Sequence, residues 1–400
     1  MKNRELIIKT LALILFGILF SFIVWCGNGG NGGNGGSGDN GETGEIIYNP
    51  DYFPKFVAVG SGDKAAYSDD GINWSSESMP VMPRSANWYS VCYGDGKFVA
   101  VGNGPNNIAT DKAAYFKNGK WIETTLKTSA KWYSVCYGNG KFVAVAGKPI
   151  NKAAYSTDGI NWNSADMPSS ANWVSVCYGG GMFIAVSTGG DKTAYSTNGT
   201  NWTQASMPAS GNWRSVCYGN GKFVAVSFGG ISTAFYDLPM AMAAYSTNGT
   251  SWTFSAVNAN EYWESVCYGN GRFVAVSSLT ESLRLFARTT VKSNRVAYSS
   301  YEIIQASFMP ALTRLLLSNI SGTTVQPSIT GAVAYSTDGN GWNAKSMPYV
   351  ADWSSVCYGN GKFVAVGENV CAYSTDGITW SKGPILSDNV DLYSVCCSGD

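Results

Sequence analysis

Short apolar runs separated by glycine-rich turns recur along most of the chain. The run K-F-V-A-V at Lys55–Val59, Lys97–Val101, Lys141–Val145, Lys222–Val226 and Lys362–Val366 is apolar at successive positions and rich in valine, which predicts a strand covered on both faces. Before it stands W-x-S-V-C-Y, and the Gly-Asn-Gly or Gly-Gly-Gly between the two predicts a tight hairpin. After it come A-A-Y-S, a turn of the form Asp-Gly-x-x-Trp, and a further polar-alternating segment. Each unit therefore reads as four short strands, with W-x-S-V-C-Y the first.

The tyrosines of the A-Y-S segments, Tyr67, Tyr115, Tyr155, Tyr195, Tyr245, Tyr298, Tyr335 and Tyr373, are spaced by 48, 40, 40, 50, 53, 37 and 38 residues. About 40 residues per four-stranded unit predicts an all-β fold, a β-propeller. The first unit opens at its second strand, Lys55–Val59, and the last stops after its first, which begins at Ser394. One blade is then expected to be completed from both ends of the chain. The spacing favours eight blades. In that reading the unit around Tyr298 has lost its turn acid, glycine and tryptophan, and Thr313–Gly331 holds its worn strands. Seven blades with a long insertion is the alternative.

The turn acids and their amide replacements are Asp70, Asp158, Asn198, Asn248, Asp338 and Asp376. An Asp or Asn at the head of such a turn accepts hydrogen bonds from backbone N–H groups a few residues on, and the following glycine supplies positive φ. Exchange of Asp for Asn at Asn198 and Asn248 is incompatible with a general acid or nucleophile. One or two acidic oxygens per copy are also too few for calcium. These positions are read as turn formers, and no metal or other cofactor is expected. The segment resembles the Asp-box, or BNR, repeat S-x-D-x-G-x-x-W of sialidases, sortilin-type receptors, xyloglucanases and photosystem II assembly factors, with one residue fewer between acid and glycine. The resemblance covers about 350 residues. It implies a propeller and leaves the activity open.

Loop lengths distinguish two faces. From cysteine to phenylalanine across the first turn is 6 residues in every full copy (Cys92 to Phe98, Cys357 to Phe363), whereas the connection after the second strand runs from 7 residues (Val366 to Tyr373) through 19 (Val226 to Tyr245) to 22 (Val276 to Tyr298). Recognition is expected on the variable side. Six tryptophans open the first strands there, Trp88, Trp132, Trp173, Trp213, Trp263 and Trp353, with Leu392 in the seventh place. Either they form an aromatic ring that stacks on a ligand, or each indole seals the core between neighbouring blades.

Composition narrows the chemistry. With 27 basic and 27 acidic residues the chain has no net field to draw in a polyanion, so nucleic acid is not an expected partner. It has no histidine, which removes the usual zinc sites and histidine-based triads. Residues 1–26 read as an export signal: Lys2, Arg4 and Lys9, then an apolar run from Leu11 to Trp25, then Cys26. This resembles a bacterial lipoprotein signal in which Cys26 is lipid-modified. The alternative is a retained anchor helix, for which the run falls short of the ~20 residues that span a bilayer. Residues 27–47, rich in Gly and Asn, form a flexible linker and residues 48–400 the propeller. The chain is expected outside the cytoplasm, held to a bacterial membrane or cell surface.

Two functions remain. One is a tethered binding, adhesion or scaffold protein that presents the variable face to a glycan or protein. The other, implied by the resemblance, is a sialidase-like or other glycoside hydrolase. Of the folded part's arginines, Arg284, Arg288, Arg295 and Arg314 fall in the irregular stretch after Val276, which leaves too few for an arginine triad. Glu261, Glu264, Asp237 and Glu281 are the acids that could reach the variable face, and their pairing is not legible from sequence separation. Binding is the favoured reading, with no catalytic residue assigned.

Overall fold

The computed structural model describes residues 51–75, 81–228, 242–257, 261–278, 331–386 and 391–399. The export signal with Cys26, the linker, Asp237, Glu281, the four arginines after Val276 and the unit expected around Tyr298 lie outside them.

The described chain is built from antiparallel sheets in which sequence neighbours pair. In the first complete unit, β3 (Ala86–Gly94), β4 (Lys97–Asn103), β5 (Thr110–Lys117) and β6 (Lys120–Ala130) pair in order. The next is β7 (Trp132–Gly138), β8 (Lys141–Ala146), β9 (Lys152–Ser156) and β10 (Asn163–Asp166). In the third, β11 (Asn172–Gly179) pairs with β12 (Met182–Ser196), which turns back so that the Thr193 hydroxyl donates to the Ala185 carbonyl at 2.9 Å. The long β13 (Thr203–Gly219) supplies the outer strand of that unit and runs on as the inner strand of the next, with β14 (Lys222–Ser227), β15 (Met242–Ser246) and β16 (Thr253–Ala256). Two further units are β17 (Tyr262–Gly269), β18 (Arg272–Ser278), β19 (Ala332–Ser336), β20 (Asn343–Ser346), and β21 (Trp353–Gly359), β22 (Lys362–Gly367), β23 (Val370–Ser374), β24 (Ser381–Ile385). Finally β25 (Leu392–Cys397) pairs with β1 (Phe56–Gly62), which pairs with β2 (Ala65–Ser68). A 3-10 turn at Pro105–Asn107 is the one helical element among the described residues.

Strand β18 pairs directly with β19, Phe273 opposite Ser336 and Val276 opposite Val333. The second and third strands of one unit thus stand on either side of residues 279–330. The inner strands are joined by a repeated hydrogen bond from a valine N–H to the serine hydroxyl of the preceding unit: Val91 to Ser394, Val135 to Ser90, Val176 to Ser134, Val216 to Ser175, Val266 to Ser215, Val356 to Ser265 and Val395 to Ser355, each at 3.1–3.2 Å.

The apolar runs behave as their pattern requires. Phe142, Val143, Ala144 and Val145 are all fully buried, because each second strand has a sheet on both sides. At roughly 1.5–3 kcal/mol for each buried valine or phenylalanine, these strands carry much of the driving force for folding. The Asn-Gly turns between first and second strands have both residues at positive φ, 48° and 71° at Asn139 and Gly140, as a two-residue hairpin demands.

The turn acids act on the backbone. In all six turns the serine hydroxyl accepts from the glycine N–H, and the Asp or Asn Oδ1 accepts two further N–H groups at 2.7–3.0 Å, as Asp158 does from Ile160 and Asn161. Gly159 at φ 69° tucks the turn against Val99 of the preceding unit, where a Cβ would stand 2.9 Å from the valine methyl. The copy at Tyr115 is built differently: Asn118 and Gly119 form a two-residue hairpin between Lys117 and Lys120, which shortens that copy by one residue. Partial desolvation works against ionising Asp376, but the N–H groups of Thr379 and Ile378 and the Ser374 hydroxyl outweigh it and hold the carboxyl down at about 2. Its contribution to stability is therefore complete above the ordinary carboxyl range near 4 and is lost as pH falls toward 2. Asn198 makes the same two backbone bonds without a charge. Asp376→Asn is expected to change stability at pH 7 by less than about 0.5 kcal/mol and to remove this residue's share of the acid limb. Asp376→Ala is expected to cost about 1–2 kcal/mol. Urea titrations at pH 7 and pH 3 check both.

Candidate functional site

The six tryptophans at the starts of the inner strands are 0–1% exposed. The ligand-stacking reading of Trp88, Trp132, Trp173, Trp213, Trp263 and Trp353 is therefore corrected. Each indole is enclosed by two successive units, as Trp173 is by Val143 and Val145 of one and Phe183 and Ala185 of the next. Trp132, Trp173 and Trp213 donate their ring N–H groups to backbone carbonyls of Thr110, Ser169 and Ala209 at 3.1–3.3 Å.

The residue after each tryptophan occupies a different position. Trp88 pairs with Gly102 and Ser90 with Val101, so Tyr89 is an extra residue in the ladder. The same bulge recurs between Trp132 and Ser134, Trp173 and Ser175, Trp213 and Ser215, Trp263 and Ser265, Trp353 and Ser355, and between Leu392 and Ser394. A bulge re-aims its side chain, and this one does so at the end of the inner strand nearest the variable connections. The bulged residues are Tyr89, Tyr133, Val174, Arg214, Glu264, Ser354 and Tyr393, all half-buried except the buried Val174.

Five of these side chains meet in two groups. Tyr89 lies 5.2 Å from Tyr393, stacked at 17°, and 5.3 Å from Tyr133, so three consecutive units contribute one aromatic arc. Arg214 Nε lies 3.0 Å from a carboxylate oxygen of Glu264, and its guanidinium sits 5.2 Å from the ring of Phe228, which stacks on Tyr262 at 4.3 Å. The Ser278 hydroxyl donates to the other Glu264 oxygen at 3.3 Å. Burial first, then the phenols of Tyr393 and Tyr133, push the Tyr89 hydroxyl up, while Arg214 pulls it down. Residues from distant parts of the sequence thus share one electrostatic environment. An aromatic arc with a paired cation and anion can stack on an apolar ring face and exchange hydrogen bonds with hydroxyl or amide groups at its edge.

Glu261 is buried and accepts from the Ser277 hydroxyl at 3.5 Å, so it belongs to the support of β18. Open spaces of 580 and 370 Å³ lie at the outer strands between one unit and the turn of the next, lined by Asp166 and Trp202 and by Lys127 and Trp162. The second is crossed by bonds that join the units, Thr124 Oγ1 to the Ile160 carbonyl at 2.6 Å and Lys127 Nζ to Asn163 at 3.0 Å, and reads as a seam.

A trace of the bulged set is present in the sequence. Within the otherwise constant W-x-S-V-C segment, x reads Tyr, Tyr, Val, Arg, Glu and Ser, and Tyr again after Leu392. A position that varies inside near-identical repeats is freed from the scaffold's constraints.

No known family matches the chain, and no characterised relative matches it either. Solved structures do. Virginiamycin B lyase from Staphylococcus aureus matches at 12% identity with a TM-score of 0.56, over 78% of this chain and 89% of that one. A catalytically inactive variant of the same lyase with quinupristin gives 11%, 0.57, 79% and 90%. A streptogramin B lyase gives 11%, 0.54, 77% and 86%. The fold is a β-propeller. At such identities the likeness concerns the fold alone.

Proposed function

We propose that the propeller has seven blades, is closed by β25 pairing with β1, and is held outside the cytoplasm by its N-terminal segment. There it binds a glycan or protein ligand at the mouth formed by the bulged residues. The observation that carries the binding reading is that the contacting Tyr393, Tyr89 and Tyr133, and the Arg214–Glu264 pair, occupy the one position that varies while the surrounding repeat stays constant. Seven blades are supported by the seven serine-to-valine hydrogen bonds, which lead from Ser394 through six units back to Val395, and by the direct pairing of β18 with β19. Residues 279–330 are then an insertion within one blade. Tethering is supported by the basic start, the apolar run and Cys26.

Binding is favoured over the lyase chemistry of the structural neighbours because the inactive form of that lyase replaces a histidine by alanine, and this chain has no histidine.

The test uses the full chain on a glycan array and against peptide ligands, followed by titration of any hit. Tyr89→Ala and Tyr133→Ala are each expected to weaken binding about 10-fold or more, with the thermal midpoint nearly unchanged because both side chains are half-exposed. Binding that survives both substitutions, or turnover of a glycoside substrate, contradicts the reading. A mature chain that begins at a lipid-modified Cys26 supports the tether, and an N-terminus further along the chain contradicts it.

A further inference from the structure

The apolar clusters between successive units share a pattern. In each, the cysteine of one inner strand faces the next unit's tyrosine: Cys92 with Tyr137, Cys136 with Tyr178, Cys177 with Tyr218, Cys217 with Tyr268 and Cys267 with Tyr358. The tyrosine ring lies on a glycine at the end of the preceding inner strand. A Cβ at Gly94, Gly138, Gly179, Gly219 or Gly269 would overlap it. Between β21 and β25 the pattern changes, because Cys397 stands where the other copies have tyrosine. Cys397 rests on Gly359, which has no room for a Cβ against the sulfur, and its thiol donates to the Tyr358 carbonyl at 3.0 Å. Cys357 packs against the same cluster as Cys397. The strands are held in register there by the Val395 N–H on the Ser355 hydroxyl at 3.1 Å.

We propose that Cys357 and Cys397 form a disulfide that locks the C-terminal strand to the preceding unit. Cys357 and Cys397 pack against one cluster from neighbouring inner strands, whereas the cysteines at the other interfaces share their clusters with tyrosine. The oxidant is a small-molecule disulfide. One thiolate attacks it, expelling the first thiolate leaving group. The second cysteine then attacks the mixed disulfide and expels the other. Two cysteine thiols become one disulfide, and the oxidant leaves as two thiols. Contact with Cys397 and burial push the Cys357 thiol up, so the reaction is slow near neutral pH and quickens as pH rises.

The experiment incubates the reduced full chain with oxidised glutathione, alkylates the remaining thiols, and maps the peptides by mass spectrometry. The expected product has lost the mass of two hydrogens, contains one peptide pair joining Cys357 to Cys397, and melts roughly 5 °C higher than the reduced chain, a gain that dithiothreitol reverses. Cys397→Tyr restores the residue that the other interfaces carry and is expected to fold, with neither the cross-link nor the reductant-sensitive shift. Cys357→Ser is a second variant with the same expectation. Full alkylation of both cysteines after oxidation overturns the proposal, as does a bridge from Cys397 to Cys396 or to any other cysteine.

Discussion

A chain ending at Leu386, without β25, is expected to lose its cooperative thermal transition. Along Phe56–Val59, β1 has β25 on one side and β2 on the other; beyond that it is tied to β3 only at Ser61 and Gly62, and β2 is extended by a single bridge from Tyr67 to Ser75. Removing β25 leaves the β1–β2 hairpin joined to β3 by two residues at its end, with one edge of Phe56–Val59 unpaired. It also opens the cluster that holds the fully buried Phe56 and Ala58 and the nearly buried Leu392 and Val395. The hydrogen bonds that Ser394 and Val395 make to the inner strands on either side go with it. Because the proposed ring is closed, a gap at one place removes two interfaces at once. Circular dichroism during heating is expected to show a broad, non-cooperative loss of signal. A sharp transition within a few degrees of the full chain's would contradict the expectation.

Trp173→Ala is expected to be the costliest single substitution outside the glycines, at about 3–5 kcal/mol. The indole is fully buried between two units, against Val143, Val145, Met167 and Phe183, and donates to the Ser169 carbonyl at 3.3 Å. Removing it leaves a cavity that strands on both sides cannot close, because their own backbone ladders hold them apart. The thermal midpoint should fall by roughly 10 °C. This also separates the two readings of the tryptophans. A ligand-stacking ring would lose affinity and keep its stability, whereas a sealing role loses stability first.

The repeat made much of the fold legible. The strand runs, the Asn-Gly hairpins and the chain's ends meeting in one sheet follow from patterns of apolar residues and glycine that local chemistry determines. The turn acids were legible for the same reason, since the bonds Asp158 makes stay within a few residues. The candidate site was less so. Whether Trp88 or Tyr89 faces the mouth depends on the bulge between Trp88 and Ser90, and one extra residue exchanges the two sides of a strand. Nothing in the alternation of W-x-S-V-C-Y announces that bulge. The reading of eight blades rests on Arg-Val-Ala-Tyr at Tyr298 keeping the period, whereas the seven-blade alternative draws on contacts between strands far apart in sequence, the pairing of Phe273 with Ser336 and the seven valine-to-serine hydrogen bonds. That Cys397 replaces the tyrosine of S-V-C-Y is visible in the repeat, but not that it shares a cluster with Cys357, because that depends on contact between strands some 40 residues apart.

The central claim is that the last strand closes the ring as the inner strand of the first blade. Native-state amide hydrogen exchange on the full chain tests it most directly. If it is right, the amides of 392–397 exchange as slowly as those of 56–59 and of β8, through the same global opening. If instead 392–397 exchange within seconds while β8 stays protected, the end of the chain is frayed and the ring is open.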